Sequence, residues 1–155
     1  MDERLKSVYD ALSLQCARRE YCVSDIRRKA LQRLEFDASA AEEVVSALVA
    51  DGYVDDHRYA AAYAREKSAL SGWGPVKIRS ALLARGVERD AVLEALEEID
   101  PERAAAKLEK VLETKWRTLR DDPQGRLKLI RFALSRGYDY DTVDAAVRTI
   151  LHSGK

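Results

Sequence analysis

A chain of 155 residues is long enough for one ordinary domain or for several small modules sharing a core. Charged residues make up 35% of it, yet 27 Lys and Arg balance 27 Asp and Glu, so bulk charge gives no reason to expect nucleic-acid affinity. No apolar run approaches the roughly 18 residues a membrane span needs, and the charged N-terminus MDERLKSVYD lacks the apolar stretch of a signal peptide, so a soluble cytoplasmic protein with no membrane partner is expected.

In chain order, the first helical run covers roughly Leu5–Arg18. Cys16 and Cys22 are six apart, which fits neither a CxxC redox pair nor a zinc knuckle, so two reduced, partly buried thiols are expected. IRRKALQRL follows, then a short polar break and the run AAEEVVSALV, with Ser39 and Glu42 at capping-box spacing.

The stretch GYVDDHRYAAAYAREK opens the next helix, Asp56–Leu70. Asp55 is its N-cap, Asp56 adds negative charge at the positive end of the helix dipole, and Val54 with Tyr59 has the spacing of a hydrophobic staple. Tyr59, Ala62, Tyr63, Glu66 and Leu70 follow helical spacing, so both tyrosines are read as packing residues in preference to base-stacking ones. In SGWGP, Pro75 stands at a first helical position, where its missing N–H costs little. Trp73 has staple spacing to Ile78, but an aromatic in an exposed loop between basic helices can also stack or dock, and both readings stand.

That helix stops at Arg85-Gly86-Val87, where glycine can take the left-handed conformation and Val87 can fold back on Leu82. RDAVLEALEEI comes next, then a run over Glu102–Arg120 opened by Asp100-Pro101. Asp122-Pro123 opens IRFALSRG, which stops at Arg136-Gly137-Tyr138 before YDTVDAAVRTI.

The chain repeats itself. Ile26-Arg27, Ile78-Arg79 and Ile130-Arg131 are spaced by 52 residues, twice. Each pair sits in a helix B, preceded by a longer helix A and followed by a helix C. The plan is an all-α fold of three three-helix repeats, at 1–54, 55–100 and 101–155. No segment shows the sustained alternation of a strand.

Charge is sorted by helix. Residues 1–36 carry net +2, 37–56 net −6, 57–85 net +5, 86–102 net −6, 103–136 net +6 and 137–155 net −1. Helices A and B tend basic, and C tends acidic in the first two copies. Solvation or charge balance between touching helices explains this blandly. If the basic pairs share one side of an array, they instead form a positive stripe suited to a phosphate backbone or an acidic protein surface.

GYVDDHRYAAAYAREK followed by GWGPVKIRSALLARGV resembles the signature of the RecX family, bacterial regulators of the RecA recombinase. The elements that carry the resemblance are Gly52-Tyr53, Asp55-Asp56, Tyr59-Ala60, Tyr63, Gly72, Gly74-Pro75, Ile78-Arg79, Leu82 and Gly86. The first copy (SDIRRKAL) and the last (IRFALSRGYDYDTV) fit the same plan, so the likeness covers nearly the whole chain. It implies an elongated, curved array of three-helix repeats without enzymatic activity or cofactor. It also implies binding to the RecA–DNA filament in its helical groove, with inhibition of ATP hydrolysis and strand exchange, in recombination, DNA repair and the SOS response. Relatives often carry further basic residues before the GxGP turn, where this chain has Ser68-Ala69-Leu70-Ser71. Arg65, Lys67, Lys77 and Arg79 must then carry more of that contact.

The candidate partner-binding residues are Arg27, Arg28 and Lys29 from the first copy, Arg65, Lys67, Trp73, Lys77, Arg79 and Arg85 from the second, and Lys128 and Arg131 from the third. The expected partner is the recombinase filament, bound by a monomer that bridges several protomers. The rival reading is non-specific binding to single- or double-stranded DNA. A helix-turn-helix mode would send helix C into the major groove, and the acidic ERDAVLEALEEI is repelled by phosphates. Catalysis finds no support: there is no Walker loop, GxSxG elbow or HExxH, and the two histidines, His57 and His152, lie far apart in sequence.

Overall fold

The structure, a computed structural model, describes residues 1–153. Among these the protein is all-helical: α1 (Glu3–Arg18), α2 (Val23–Arg33), α3 (Ala38–Ala50), α4 (Asp56–Ala69), α5 (Pro75–Ala84), α6 (Arg89–Glu97), α7 (Pro101–Leu119), α8 (Gly125–Ser135) and α9 (Tyr140–His152). In chain order the helices fall into three sets of three, as the periodicity predicts. None is long and apolar enough to cross a membrane.

Two compact units are present. The first comprises Met1–Ala62 and Leu82–Ala95, the second Tyr63–Ala81 and Leu96–Lys155. In the first, α1, α2 and α3 close around Leu12, Ile26, Leu34, Val44 and Leu48, all essentially without solvent contact. In the second, α7, α8 and α9 close around Leu108, Leu112, Leu129, Val143, Val147 and Ile150. Each set buries aliphatic stripes at three- and four-residue spacing, so hydrophobic burial is the main force holding it. Among the described residues no polar or charged residue is buried.

The helix ends explain why the chain breaks where it does. Asp55 accepts from the His57 and Arg58 amides, and Asp100 from those of Glu102 and Arg103, so each satisfies otherwise orphaned donors. Gly86 has φ +79°; its amide bonds the Leu83 carbonyl and the Val87 amide the Leu82 carbonyl, a Schellman stop. Two starts differ from expectation. At α3 the cap is Asp37, which accepts from the Ala40 amide, so Ser39 and Glu42 form no capping box and Glu42 is free for other work. At α8 the helix begins at Gly125, because Asp122 folds its own turn by accepting the Gln124 and Gly125 amides on side chain and backbone. A Cβ on Gly125 would stand 2.2 Å from the Leu119 carbonyl oxygen, so only glycine fits this start.

Both cysteines are free, Cys22 buried and Cys16 half-buried, and burial pushes both thiols up in pKa, away from the reactive thiolate.

The first copy stops its helix B without glycine. Glu35 and Phe36 have φ +54° and +62°, and the Phe36 amide bonds the Leu31 carbonyl as the Val87 amide bonds Leu82. Glu35 thus occupies the left-handed site that Gly86 fills in the second copy, at a steric cost glycine avoids. Glu35→Gly is expected to stabilise the chain by about 0.5–1 kcal/mol in denaturant titration. No gain in midpoint would show that the corner is relaxed as it stands.

Candidate basic interface

The repeat places an isoleucine and an arginine side by side in each helix B, about 100° apart around the axis, so one turns in as the other turns out. Ile26 and Ile78 are fully buried and Ile130 half-buried. Their neighbours differ. Arg27 is held bidentately by Glu42 of α3, Nε to Oε2 at 3.0 Å and Nη2 to Oε1 at 3.2 Å. The guanidinium's hydrogen bonds hold the Glu42 carboxyl below the usual carboxylate range. Arg79 and Arg131 are exposed and form no ion pair among the described residues. Three equivalent positions therefore offer one neutralised charge and two open ones.

The other candidates sort by what holds them. Arg28 lies 3.3 Å from Asp25, one turn back, and Lys128 2.6 Å from Asp122. Arg65 lies 3.8 Å from Glu98, a loose pair between exposed side chains that contributes little to stability. Lys29 and Arg19 both stand over the Tyr21 ring, at 5.1 and 4.5 Å from its centre. Arg85 is exposed at the end of α5, and its carbonyl accepts from the Ser24 hydroxyl at 2.7 Å.

Trp73 gathers two of the candidates. Lys77 Nζ lies 4.3 Å and Lys67 Nζ 4.9 Å from its ring, and Tyr63 meets it edge-on at 6.3 Å. Cation–π attraction of this kind stabilises each pair by about 0.5–1 kcal/mol at exposed sites. Trp73 is half-buried, and together these four side chains make one aromatic cluster bearing two ammonium groups.

The GWGP turn beneath this cluster is bound to the end of α8. Gly74 donates its amide to the Arg136 carbonyl at 2.7 Å, and Val76 donates to the Gly137 carbonyl at 2.9 Å. A Cβ on Gly74 would stand 2.4 Å from the Gly137 oxygen, and one on Gly137 2.2 Å from the Lys77 Cβ. Arg136 Nη2 donates to the Ser71 carbonyl, and the Tyr138 hydroxyl reaches that of Gly72 at 3.5 Å. The two glycines that sequence reasoning assigned to a helix start and a helix stop thus also meet each other. Arg136 and Tyr138, read only as part of that stop, clamp the turn.

The acidic pair of the second copy is also a joint. The Asp56 carboxylate accepts the Val23 amide at 2.8 Å, and Arg58 binds Glu20 and the Gly52 and Tyr53 carbonyls. His57 Nδ1 lies 2.7 Å from Glu94 and Nε2 3.9 Å from Asp90. Each side chain from Asp55 to Arg58 thus has a partner within the chain. Among the described residues no group of three or more His, Cys, Asp or Glu could hold a metal ion.

The family model described as RecX, second three-helix domain, matches residues 55–96, and that for the RecX third three-helix domain matches residues 102–147. A regulatory protein RecX from Chromohalobacter salexigens is 35% identical over 144 residues, covering 89% of this chain and 88% of its own length. One from Pseudomonas entomophila is 32% identical over 128 residues, covering 82% and 81%. A crystal structure of regulatory protein RecX superposes with a TM-score of 0.82 at 23% identity, over 92% of this chain and 70% of the other. RecX from Lactobacillus salivarius gives 0.79 at 18% identity, over 97% and 98%. At those identities the two structures show a shared fold.

Two measurements check the joints. Gly74→Ala is expected to cost about 1–3 kcal/mol by overpacking against Gly137, seen as a lowered denaturation midpoint; an unchanged midpoint would mean that the contact yields freely. The Glu94 hydrogen bond raises His57 above its ordinary value. The pair therefore supports the fold below the usual histidine range and loses that support as pH rises through the raised value. NMR titration is expected to find His57 protonated at higher pH than in Glu94→Gln. Coincident curves would contradict the pairing.

Proposed function

The chain belongs to the RecX family of regulatory proteins, and from that premise we propose that it binds the filament that the RecA recombinase forms on DNA and restrains its ATP hydrolysis and strand exchange. Three repeats, at 1–54, 55–100 and 101–155, supply the basic groups. The observation that carries the reading is the pair Arg79 and Arg131: equivalent positions in successive helices B, each beside an inward-turned isoleucine, each exposed and without an ion pair among the described residues. A charge repeated along an array suits a partner that is itself a repeating polymer. Bridging several protomers makes the second contact intramolecular, so weak single contacts sum to tight binding of polymer over monomer.

The remaining candidates divide by their surroundings. Lys67, Trp73 and Lys77 contribute as one cluster, in which both ammonium groups lie over the half-buried indole. Arg27, Arg28 and Lys128 must exchange an existing carboxylate for the partner's charge, which lowers their net gain. Arg65 is held only loosely and remains a contact residue on this reading. Direct contact of the same side chains with single- or double-stranded DNA is compatible with filament binding, since both partners present negative charge.

Arg79→Glu combined with Arg131→Glu is expected to raise the concentration needed to inhibit recombinase ATPase on the order of tenfold or more, with circular dichroism and melting unchanged. Full inhibition by the folded double variant would remove the proposed contact. Reversing Lys67 and Lys77 is a less direct test, because it also breaks the cluster on Trp73.

A further inference from the structure

A shallow groove of about 440 Å³ runs along α7 and is closed on one side by Phe132 of α8. Lys107, Lys110, Val111, Thr114 and Lys115 line it, and no lining residue is acidic. The floor is Val111 with the half-buried Phe132 ring, and Lys115 holds its Nζ 5.1 Å from the centre of that ring. None of the three lysines forms an ion pair among the described residues. The basic block over residues 103–136 is thus locally a trough with an apolar bottom and cationic walls.

We propose that this groove is a docking site for a short acidic peptide segment carrying an apolar side chain. The pattern is complementary to such a segment in each part. Carboxylates meet the lysine ammonium groups at the rim, where long-range attraction speeds encounter. One apolar side chain covers Val111 and the Phe132 ring, where a cationic rim alone would leave apolar surface in water. The volume matches a small ligand site and suits one or two side chains in place of a folded surface. A nucleic-acid strand fits less well. Its phosphates offer nothing to the apolar floor, which an apolar side chain of a peptide covers. The site is independent of the filament reading, since none of the three lysines belongs to the candidate set above.

The test uses the full chain and a fluorescein-labelled peptide of about twelve residues, Asp and Glu flanking a central Leu-Phe, read by anisotropy at low salt. Saturable binding is expected, weakened about tenfold by Lys110→Glu with Lys115→Glu, the first exposed, the second half-buried and both outside the core of α7, α8 and α9. A second peptide with Ser-Ser in place of Leu-Phe is expected to bind about tenfold more weakly to the unaltered chain. Thr114→Trp, which fills the trough without changing charge, is expected to weaken the Leu-Phe peptide and leave the Ser-Ser peptide unaffected. The proposal is overturned if the two peptides bind alike, if the lysine reversals change nothing, or if a twelve-nucleotide oligothymidine binds the groove more tightly than the Leu-Phe peptide does.

Discussion

The joint between successive helices B is the constraint on which the rest depends. In the second unit, the amide at the start of α5 donates to the carbonyl at the end of α8, Gly74 to Arg136 at 2.7 Å. In the first, the Ser24 hydroxyl at the start of α2 donates to the carbonyl at the end of α5, Arg85, at 2.7 Å. The same logic is used twice. In each joint a donor at one helix start, a backbone amide in one case and a side-chain hydroxyl in the other, satisfies a spare carbonyl at another helix's end. The closer approach requires two residues without Cβ atoms, which is why Gly74 and Gly137 face each other. The 1–2 joint is made through a side chain, and a Cβ on Gly86 would meet nothing within 4 Å.

Around these joints the charges do two jobs. The run from Asp55 to Arg58 is spent internally, on a helix cap, on the Val23 amide, on Glu94 and on Glu20. Arg27 and Glu42 likewise cancel each other across α2 and α3. Among the described residues Arg79, Arg131 and the lysines of α7 form no ion pair, and neither do Lys6, Arg18 and Arg33 of the first copy. A chain of zero net charge can thus leave individual basic side chains without an ion pair. The acidic helices C take part in the pairing. Of their carboxylates, Glu42 and Glu94 are bound to Arg27 and His57.

Much of the fold was legible because it is written in short-range terms. Caps such as Asp55 and Asp100, the first-turn Pro75 and the left-handed Gly86 each act within four residues of themselves, so a local pattern suffices to place them. The errors came where two local signals competed. Asp37 took the cap that the Ser39–Glu42 spacing suggested, and the turn around Asp122 delayed α8 to Gly125. The candidate site was less legible, since pairing joins residues far apart in sequence. Nothing near Arg27 announces Glu42, and nothing near Arg79 announces that its counterpart is absent. Trp73 kept two readings in the sequence because a staple and a platform need the same residue. The structure gives it a third neighbour set, Lys67 and Lys77, that belongs to neither reading alone. The trough on α7 is not legible in sequence, because Phe132 of α8 lies 17 or more residues from Lys107, Lys110 and Lys115 and only folding brings it against them.

The central claim is that unpaired basic groups repeated along the chain recognise a polymer. Binding of the chain to recombinase-coated DNA, to naked DNA and to free recombinase protomers, followed across a salt titration, tests it most directly. The account predicts far tighter binding to the coated form than to either component, weakening as salt rises. Equal affinity for naked and coated DNA, or binding to free protomers as tight as to filament, would contradict it.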